Sequence, residues 1–401
     1  MKEAVAINKK LRAKRRIEKD KARKENKKNE QLAQYTYEKV FTYQHFVEVI
    51  RKCMKGVKWK YSVQNFRTHP ISRAYYFYQC VKEGKLPKRR PIKQVIIRER
   101  GKERIITPIH IEERIVQKVL CDYCLNPVVK DKLIYDNGAS LKGKGTDFSR
   151  RRVMKHLMAA ISEYGTDFYA LSFDFKSYFD SVPHKTCRMM LERYFEPRIV
   201  DITMKIIKQY KEYEISKNWE ERAEMLRKLN NDELCGMCLG SQVSQTMALL
   251  VPNDLDHYIK DTCGVKHYVR YMDDGIIFAK TKEELKELYE GMKEICEQLG
   301  LHFNEKKTHI VPVRKGFTFL KVIYSVTDTG KIVKRLTRKG IVRMRRKLKK
   351  FKPKVDRGEM TMKNVYDSYQ SWREHSRVAN SYHTRKNMEK LYKDLFGVKE
   401  V

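Results

Sequence analysis

The stretch YVRYMDDGIIF, residues Tyr268–Phe278, sets two adjacent aspartates, Asp273 and Asp274, between two apolar and aromatic runs. Both runs are β-prone, and Asp-Gly between such runs is a strong hairpin signal, because Gly275 tolerates positive φ. A hairpin turn alone needs neither Tyr271, nor Met272, nor a second carboxylate. Two like charges at a turn that must otherwise be buried require something to neutralise them.

The elements around the hairpin supply a candidate. Upstream, FYALSFDFKSYFDSVPHKTCRMMLERYF reads as a strand ending at Asp174, a turn, and a helix entered near Ser181 and Pro183. A charged helical insertion (residues 211–229) follows, then GMCLGSQVSQTMALLVPNDLDHYI, a glycine-punctuated loop entering a helix that Pro252 should kink or end. After the hairpin, Leu285, Leu288, Met292, Ile295 and Leu299 fall on one helical face, with Gly300 as the stop. LHFNEKKTHIVPV and GFTFLKVIYSV return to strands, and from about Gly330 a basic helical region runs to the end. This order predicts a small antiparallel sheet backed by helices. In such a sheet Asp174 and Asp273 are neighbours, as a two-magnesium phosphoryl-transfer site requires, its metals roughly 3.5–4 Å apart. Magnesium keeps several waters, so two or three carboxylates suffice. Dications, rather than protein groups, then neutralise the hairpin.

The bulk properties agree. The 401 residues carry 87 Lys+Arg against 50 Asp+Glu, a net charge of +37, and a polyphosphate is the natural partner for that excess. An anionic membrane is the rival, but there is neither an apolar run of about 18 residues nor a signal-peptide pattern. A cytoplasmic protein is expected. With 41% hydrophobic and 11% aromatic residues, the chain can bury a core. Residues 1 to about 30 have almost no apolar stripe and read as a basic arm, either solubilising or RNA-contacting.

Other motifs are weaker. CDYC (Cys121, Cys124) and CGMC (Cys235, Cys238) have zinc-like spacing, but more than a hundred residues separate the pairs, and buried free thiols are expected. KQVIIRERGKERIITPIH reads as a basic hairpin. The GKGT of YDNGASLKGKGTDF does not meet the P-loop pattern, although its lysines and backbone amides suit a nucleic-acid phosphate.

With these motifs in order, the chain resembles bacterial reverse transcriptases of the group II intron, retron and diversity-generating retroelement lineage. The resemblance runs from about Lys93 to Tyr324 and more weakly beyond. It implies an α+β right-hand polymerase fold: a basic N-terminal arm (1–34), fingers and part of the palm (35–165), a ferredoxin-like antiparallel palm with the catalytic carboxylates (166–329), and a basic helical thumb (330–401). FDFKSYFD is similar to the first palm motif, which makes Asp174 a metal ligand assisted by the Phe175 carbonyl, and sets Phe179 beneath the incoming sugar. YMDD is similar to the catalytic hairpin, with Asp273 the second ligand and Asp274 at or beside the metals. NEKKTHI implies that Lys307, with Lys306 as its rival, approaches the triphosphate. GKERIITP resembles the fingertip, where Lys102 and Arg104 would clamp the nucleotide's phosphates. GFTFLK resembles the primer grip, with Lys321 where glycine is usual.

The second palm motif refines the resemblance. Gly240, Ser244 and Gln245 of GSQVSQ give Gly-x-x-x-Ser-Gln, where group II intron and retron enzymes carry proline in the last place. This is similar to diversity-generating retroelement enzymes, whose cDNA is mutated at template adenines. The implied cofactor is two Mg2+, with Mn2+ as a substitute. The implied partners are an RNA template and primer, dNTPs, the RNA–DNA hybrid and a small helical accessory protein, with no membrane. A bacterial phage-defence enzyme and a non-catalytic, maturase-like RNA-binding protein are the alternatives; an RNA polymerase should have a smaller residue at Phe179. His184 carries no assigned role.

Overall fold

The computed structural model describes residues 25–26, 29–87, 95–99, 102–106, 108–210 and 219–397. The expected arm (1–34) therefore lies outside the described residues, except at 25–26 and 29–34. In chain order the main elements are α1 (Tyr43–Met54), α2 (Tyr61–Thr68), α3 (Pro70–Lys82), β1 (Val95–Glu99), β2 (Lys102–Ile106), α4 (Ile111–Leu120), α5 (Thr146–Tyr164), β3 (Tyr169–Asp174), α6 (His184–Glu192), α7 (Gln242–Leu250), β4 (Tyr268–Tyr271), β5 (Asp274–Ala279), α8 (Lys282–Gln298), β6 (His309–Pro312), β7 (Phe317–Phe319), β8 (Val322–Val326), β9 (Ile332–Leu336), α9 (Arg338–Asp356), α10 (Met362–Ser376) and α11 (Tyr382–Phe396). They form two compact units. One comprises Met1–Ile134, Ser177–Asp256 and Ile295–Leu301; the other comprises Tyr135–Lys176, His257–Glu294 and His302–Val401.

The second unit holds the sheet that the sequence predicts. Its strands lie in the order β4-β5-β3-β6, all antiparallel. Numbered along the chain, this is second–third–first–fourth, the arrangement of a ferredoxin-like βαββαβ unit. Central strand β3 is buried on both faces, through Ala170 and Leu171 on alternate sides. Helix α5 covers one face: Val153, Leu157 and Ala160, at helical spacing, join Val269, Ile276 and Phe278 in one apolar cluster. Strands β7, β8 and β9 add a second antiparallel sheet whose Phe317, Phe319, Val322 and Tyr324 complete that cluster. Helix α8 buries Leu285 and Met292, half-buries Leu288 and Ile295, and ends at Gln298, two residues before Gly300, where φ is +66°.

The helices after the sheets start at Arg338, not at 330, because β9 pairs with β8 through Leu336. Met344, Leu348, Val365, Tyr369, Met388 and Tyr392 form their common core, with Tyr369 and Tyr392 stacked at 4.5 Å.

In the first unit, β1 and β2 pair as the expected hairpin. Helix α7 ends at Leu250, and a new helix starts at Asn253, so Pro252 does break the pattern. The cysteines are free thiols, but not all are buried: Cys235 and Cys263 are exposed, since each lies in a connecting segment and not on a core-facing helix. Cys121, Cys124 and Cys238 are buried free thiols, as expected. No described helix is long and apolar enough to cross a membrane.

Candidate active site

Strand register builds the site. Asp174, the last residue of β3, is paired with Asp274, the first of β5, and Asp274 is also paired with Tyr271 across the hairpin. The hairpin loop is therefore Met272–Asp273, two residues earlier than an Asp-Gly turn would put it. The expectation that Gly275 supplies a positive φ is corrected: the left-handed residue is Met272, at φ +58°. That conformation costs a residue with a Cβ about 1–2 kcal/mol. Gly275 is required for space, because a Cβ there would fall inside the ring of Phe173, its cross-strand partner.

Around that ring the floor of the site is dry. Phe173 meets Phe175 and Phe303 edge-on and stacks with Tyr268 at 6.3 Å. Above this floor stand three carboxylates. Asp174 is 8% exposed and its Oδ2 accepts from Lys307 Nζ at 2.5 Å. Burial, followed by the charges of Asp273 and Asp174, pushes the Asp274 carboxyl up to about 7, with Lys307 opposing. Below about pH 7 Asp274 therefore keeps a proton for a hydrogen bond with Asp174.

Phe175 is anchored by its neighbours: Lys176 N–H donates to the His302 carbonyl (2.8 Å) and Asn304 N–H to the Asp174 carbonyl (2.7 Å), forming a bridge opposite Phe303. These bonds consume the carbonyl of Asp174 and the N–H of Lys176, on either side of Phe175. Of the two candidate lysines, Lys307 is the one that reaches a carboxylate.

The fit to dications rests on the donor set. Two cross-strand carboxylates, a third at the turn and a backbone carbonyl are hard oxygen donors, as magnesium prefers, and the raised Asp274 carboxyl marks negative charge that Lys307 offsets only in part. Asp174, Asp273, Asp274 and the Phe175 carbonyl would hold the ions, in place of Lys307 at Asp174 and of the proton on Asp274.

Sequence reasoning missed the support of this turn. Arg270 is fully buried, and its Nη1 donates to the Met272 carbonyl at 2.9 Å, so it grips the strained turn residue. Its backbone N–H donates to Asp136 O (3.2 Å), and its carbonyl accepts from Gly138 N–H (3.1 Å). Burial raises the Asp136 carboxyl, but hydrogen bonds from His156 and Arg152 outweigh it and hold the group down at about 2. The YDNG segment is thus a strap along β4, and Lys144 of the GKGT loop donates to the carbonyls of Tyr135 and Asn137. An arginine amid the aromatics of YVRY was the available signal.

GFTFLK forms a tight turn that includes Lys321. Phe319 pairs with Val322, and both loop residues are left-handed, Leu320 at φ 45° and Lys321 at 68°. Arg150 Nη2 donates to the Leu320 carbonyl at 3.1 Å.

Other candidates belong to the first unit. The half-buried Phe179 accepts at its carbonyl from Met237 N–H (2.7 Å). Gly240 has φ +103°, which favours glycine, and Ser241 caps α7 by accepting from Ser244 N–H. Gln245 lies in the first turn and is exposed on an otherwise largely buried helix. His184 is buried, with Nε2 on the Gly236 carbonyl (2.9 Å), a structural role. Lys102 and Arg104 lie on β2; their side chains lie outside the described residues.

A βαββαβ sheet with carboxylates paired across its first and third strands is the type of site that serves phosphoryl transfer on two metal ions. Residues 82–324 match the reverse transcriptase (RNA-dependent DNA polymerase) family, and the chain belongs to it, with the mixed helical and antiparallel fold of that family. Comparison with curated proteins finds no match. Among solved structures, an apo telomerase from Candida tropicalis truncated of its C-terminal domain is similar at 13% identity and TM-score 0.43, over 67% of this chain and 60% of its own. A telomerase from Candida albicans in complex with a fragment of telomeric RNA is similar at 13% identity and TM-score 0.41, over 61% and 45%. The chain spans less than two thirds of either telomerase chain.

Proposed function

We propose that the chain is an RNA-directed DNA polymerase that copies an RNA template into cDNA by two-metal phosphoryl transfer. The observation that carries this reading is the Asp174–Asp274 register with Asp273 at the adjoining turn. When bound, two magnesium ions supply charge stabilisation for the attacking and leaving oxygens. The chain's own residues do the rest. Asp174, Asp273 and Asp274 would hold the ions with the Phe175 carbonyl, the aromatic floor excludes water below them, and Lys307, released from Asp174, meets the triphosphate. Lys102 and Arg104 clamp the phosphates, Phe179 excludes a ribose 2′-hydroxyl, and Gly240 and Gln245 border the nucleotide. The net charge of +37 suits an RNA template, primer and RNA–DNA hybrid, and we place this bacterial or phage-encoded enzyme in the cytoplasm.

Asp273→Ala should abolish incorporation of dNTPs with magnesium while RNA affinity stays close to that of the parent. Robust synthesis by that variant would remove the two-metal assignment.

A diversity-generating retroelement is the biological setting we favour, supported by Gly240-x-x-x-Ser244-Gln245 and by the exposure of Gln245. A flexible donor–acceptor side chain beside the templating pair relaxes discrimination that rests on a few kcal/mol. Sequenced cDNA should carry errors concentrated opposite template adenines, and fewer of them in Gln245→Pro. An even error spectrum would favour the phage-defence alternative and leave the polymerase reading intact.

A further inference from the structure

Between Val49 and Lys82 the chain has no acidic residue. Within this stretch α1 ends at Met54 and α2 starts at Tyr61. The connection is wound by its own backbone: Val57 N–H donates to Met54 O at 3.3 Å and Lys60 N–H to Val57 O at 3.0 Å. It presents Trp59, 75% exposed, and Tyr61, 82% exposed. Lys55, Lys58 and Lys60 are exposed around them, with the Lys60 ammonium 5.5 Å from the Trp59 ring. The rings are not left over from a poor core. Val63 and Phe66 on α2 are buried, and Phe66 stacks on Phe77.

An indole left in water forgoes the largest burial gain a side chain can have, so two such rings alternating with lysines imply a partner with both flat apolar faces and negative charge. A single nucleic-acid strand has both. Its bases stack on aromatic rings whatever their sequence, and its phosphates pair with lysines. A duplex hides its base faces. A membrane surface fits less well, because α2 turns its Val63 and Phe66 to the core and so presents no amphipathic apolar face of its own for insertion.

We infer that Lys55–Tyr61 is a binding surface for single-stranded nucleic acid, on which Trp59 and Tyr61 stack with unpaired bases while Lys55, Lys58 and Lys60 meet the phosphates. The inference extends the polymerase reading but needs no catalysis, so it is tested in the full-length Asp273→Ala protein without dNTPs. The probe is a labelled 12-nucleotide single-stranded RNA, with a hairpin duplex of equal charge as control and fluorescence anisotropy as the readout. Each ring removed, Trp59→Ala and Tyr61→Ala, should weaken single-strand binding about tenfold, and Trp59→Phe should restore most of it. The hairpin's affinity should hardly change. Both side chains are exposed, so unchanged melting of the variants is expected and isolates the binding effect. Single-strand affinity unaltered by the double substitution overturns the proposal. So does an equal loss for the hairpin, which would leave charge alone, or ring-dependent binding of anionic vesicles without ring-dependent binding of RNA. A protein that binds the strand through Trp59 yet, with Asp273 intact, incorporates no nucleotide would overturn the polymerase reading and leave this surface standing.

Discussion

Replacing Asp274 with asparagine in the metal-free protein tests the electrostatics on which the site depends. The Asp274 carboxyl is raised to about 7 by burial and by Asp273 and Asp174; in an unfolded chain it titrates near 3.9. Between these values the native state keeps a proton that the unfolded state has lost, so stability falls as pH rises from about 4 to about 7 and is flat above. About three pH units at 1.36 kcal/mol each set a ceiling of roughly 4 kcal/mol on the loss. Asparagine cannot ionise and removes that slope, while its amide can still donate to Asp174. Urea melts of both proteins, with a chelator, from pH 4 to 8 give the difference curve, in which groups present in both proteins, such as Asp136 and His267, largely cancel. The variant should gain steadily on the parent from pH 4 to pH 7, by about 3–4 kcal/mol in all, on top of any pH-independent offset. Magnesium at pH 8 should stabilise the parent and have much less effect on the variant. A difference curve flat across the range would refute the reasoning.

Gly275→Ala should destabilise the protein by about 3 kcal/mol or more, because Phe173 sits where the new methyl must go and the surrounding rings leave it little room; a thermal melt measures it. Lys321→Gly should raise stability by about 0.5–1 kcal/mol, since a left-handed position is relieved at a modest entropic cost; a loss of stability would mean that the lysine side chain contributes more than its backbone strain costs. Arg270→Met, which keeps the bulk but frees the Met272 carbonyl, should raise the magnesium concentration needed for half-maximal incorporation more than it lowers the melting temperature; equal proportional effects on both would reduce Arg270 to a purely structural role.

What the sequence determined by itself was periodic or punctuated. The alternation and length of the runs around Asp174 and Asp273, the helical spacing of Leu285 through Leu299, and the stop signals Pro252 and Gly300 are local features, so the sheet, its helices and the proximity of the carboxylates were legible in one dimension. The three-way meeting of Asp174, Asp274 and Lys307 was not, because it depends on register between strands about a hundred residues apart, and a slip of one residue would turn each side chain to the other face. The same holds for the turn. DDG signalled a hairpin, but only pairing of Asp274 with both Tyr271 and Asp174 moved the loop to Met272–Asp273 and changed the reason for Gly275 from backbone freedom to the space taken by Phe173. Arg270 was visible only as an oddity. That it grips the turn, and that the YDNG strap lies against it, are decisions of tertiary structure, because a buried charge finds its partners in space and leaves no spacing in sequence to announce them.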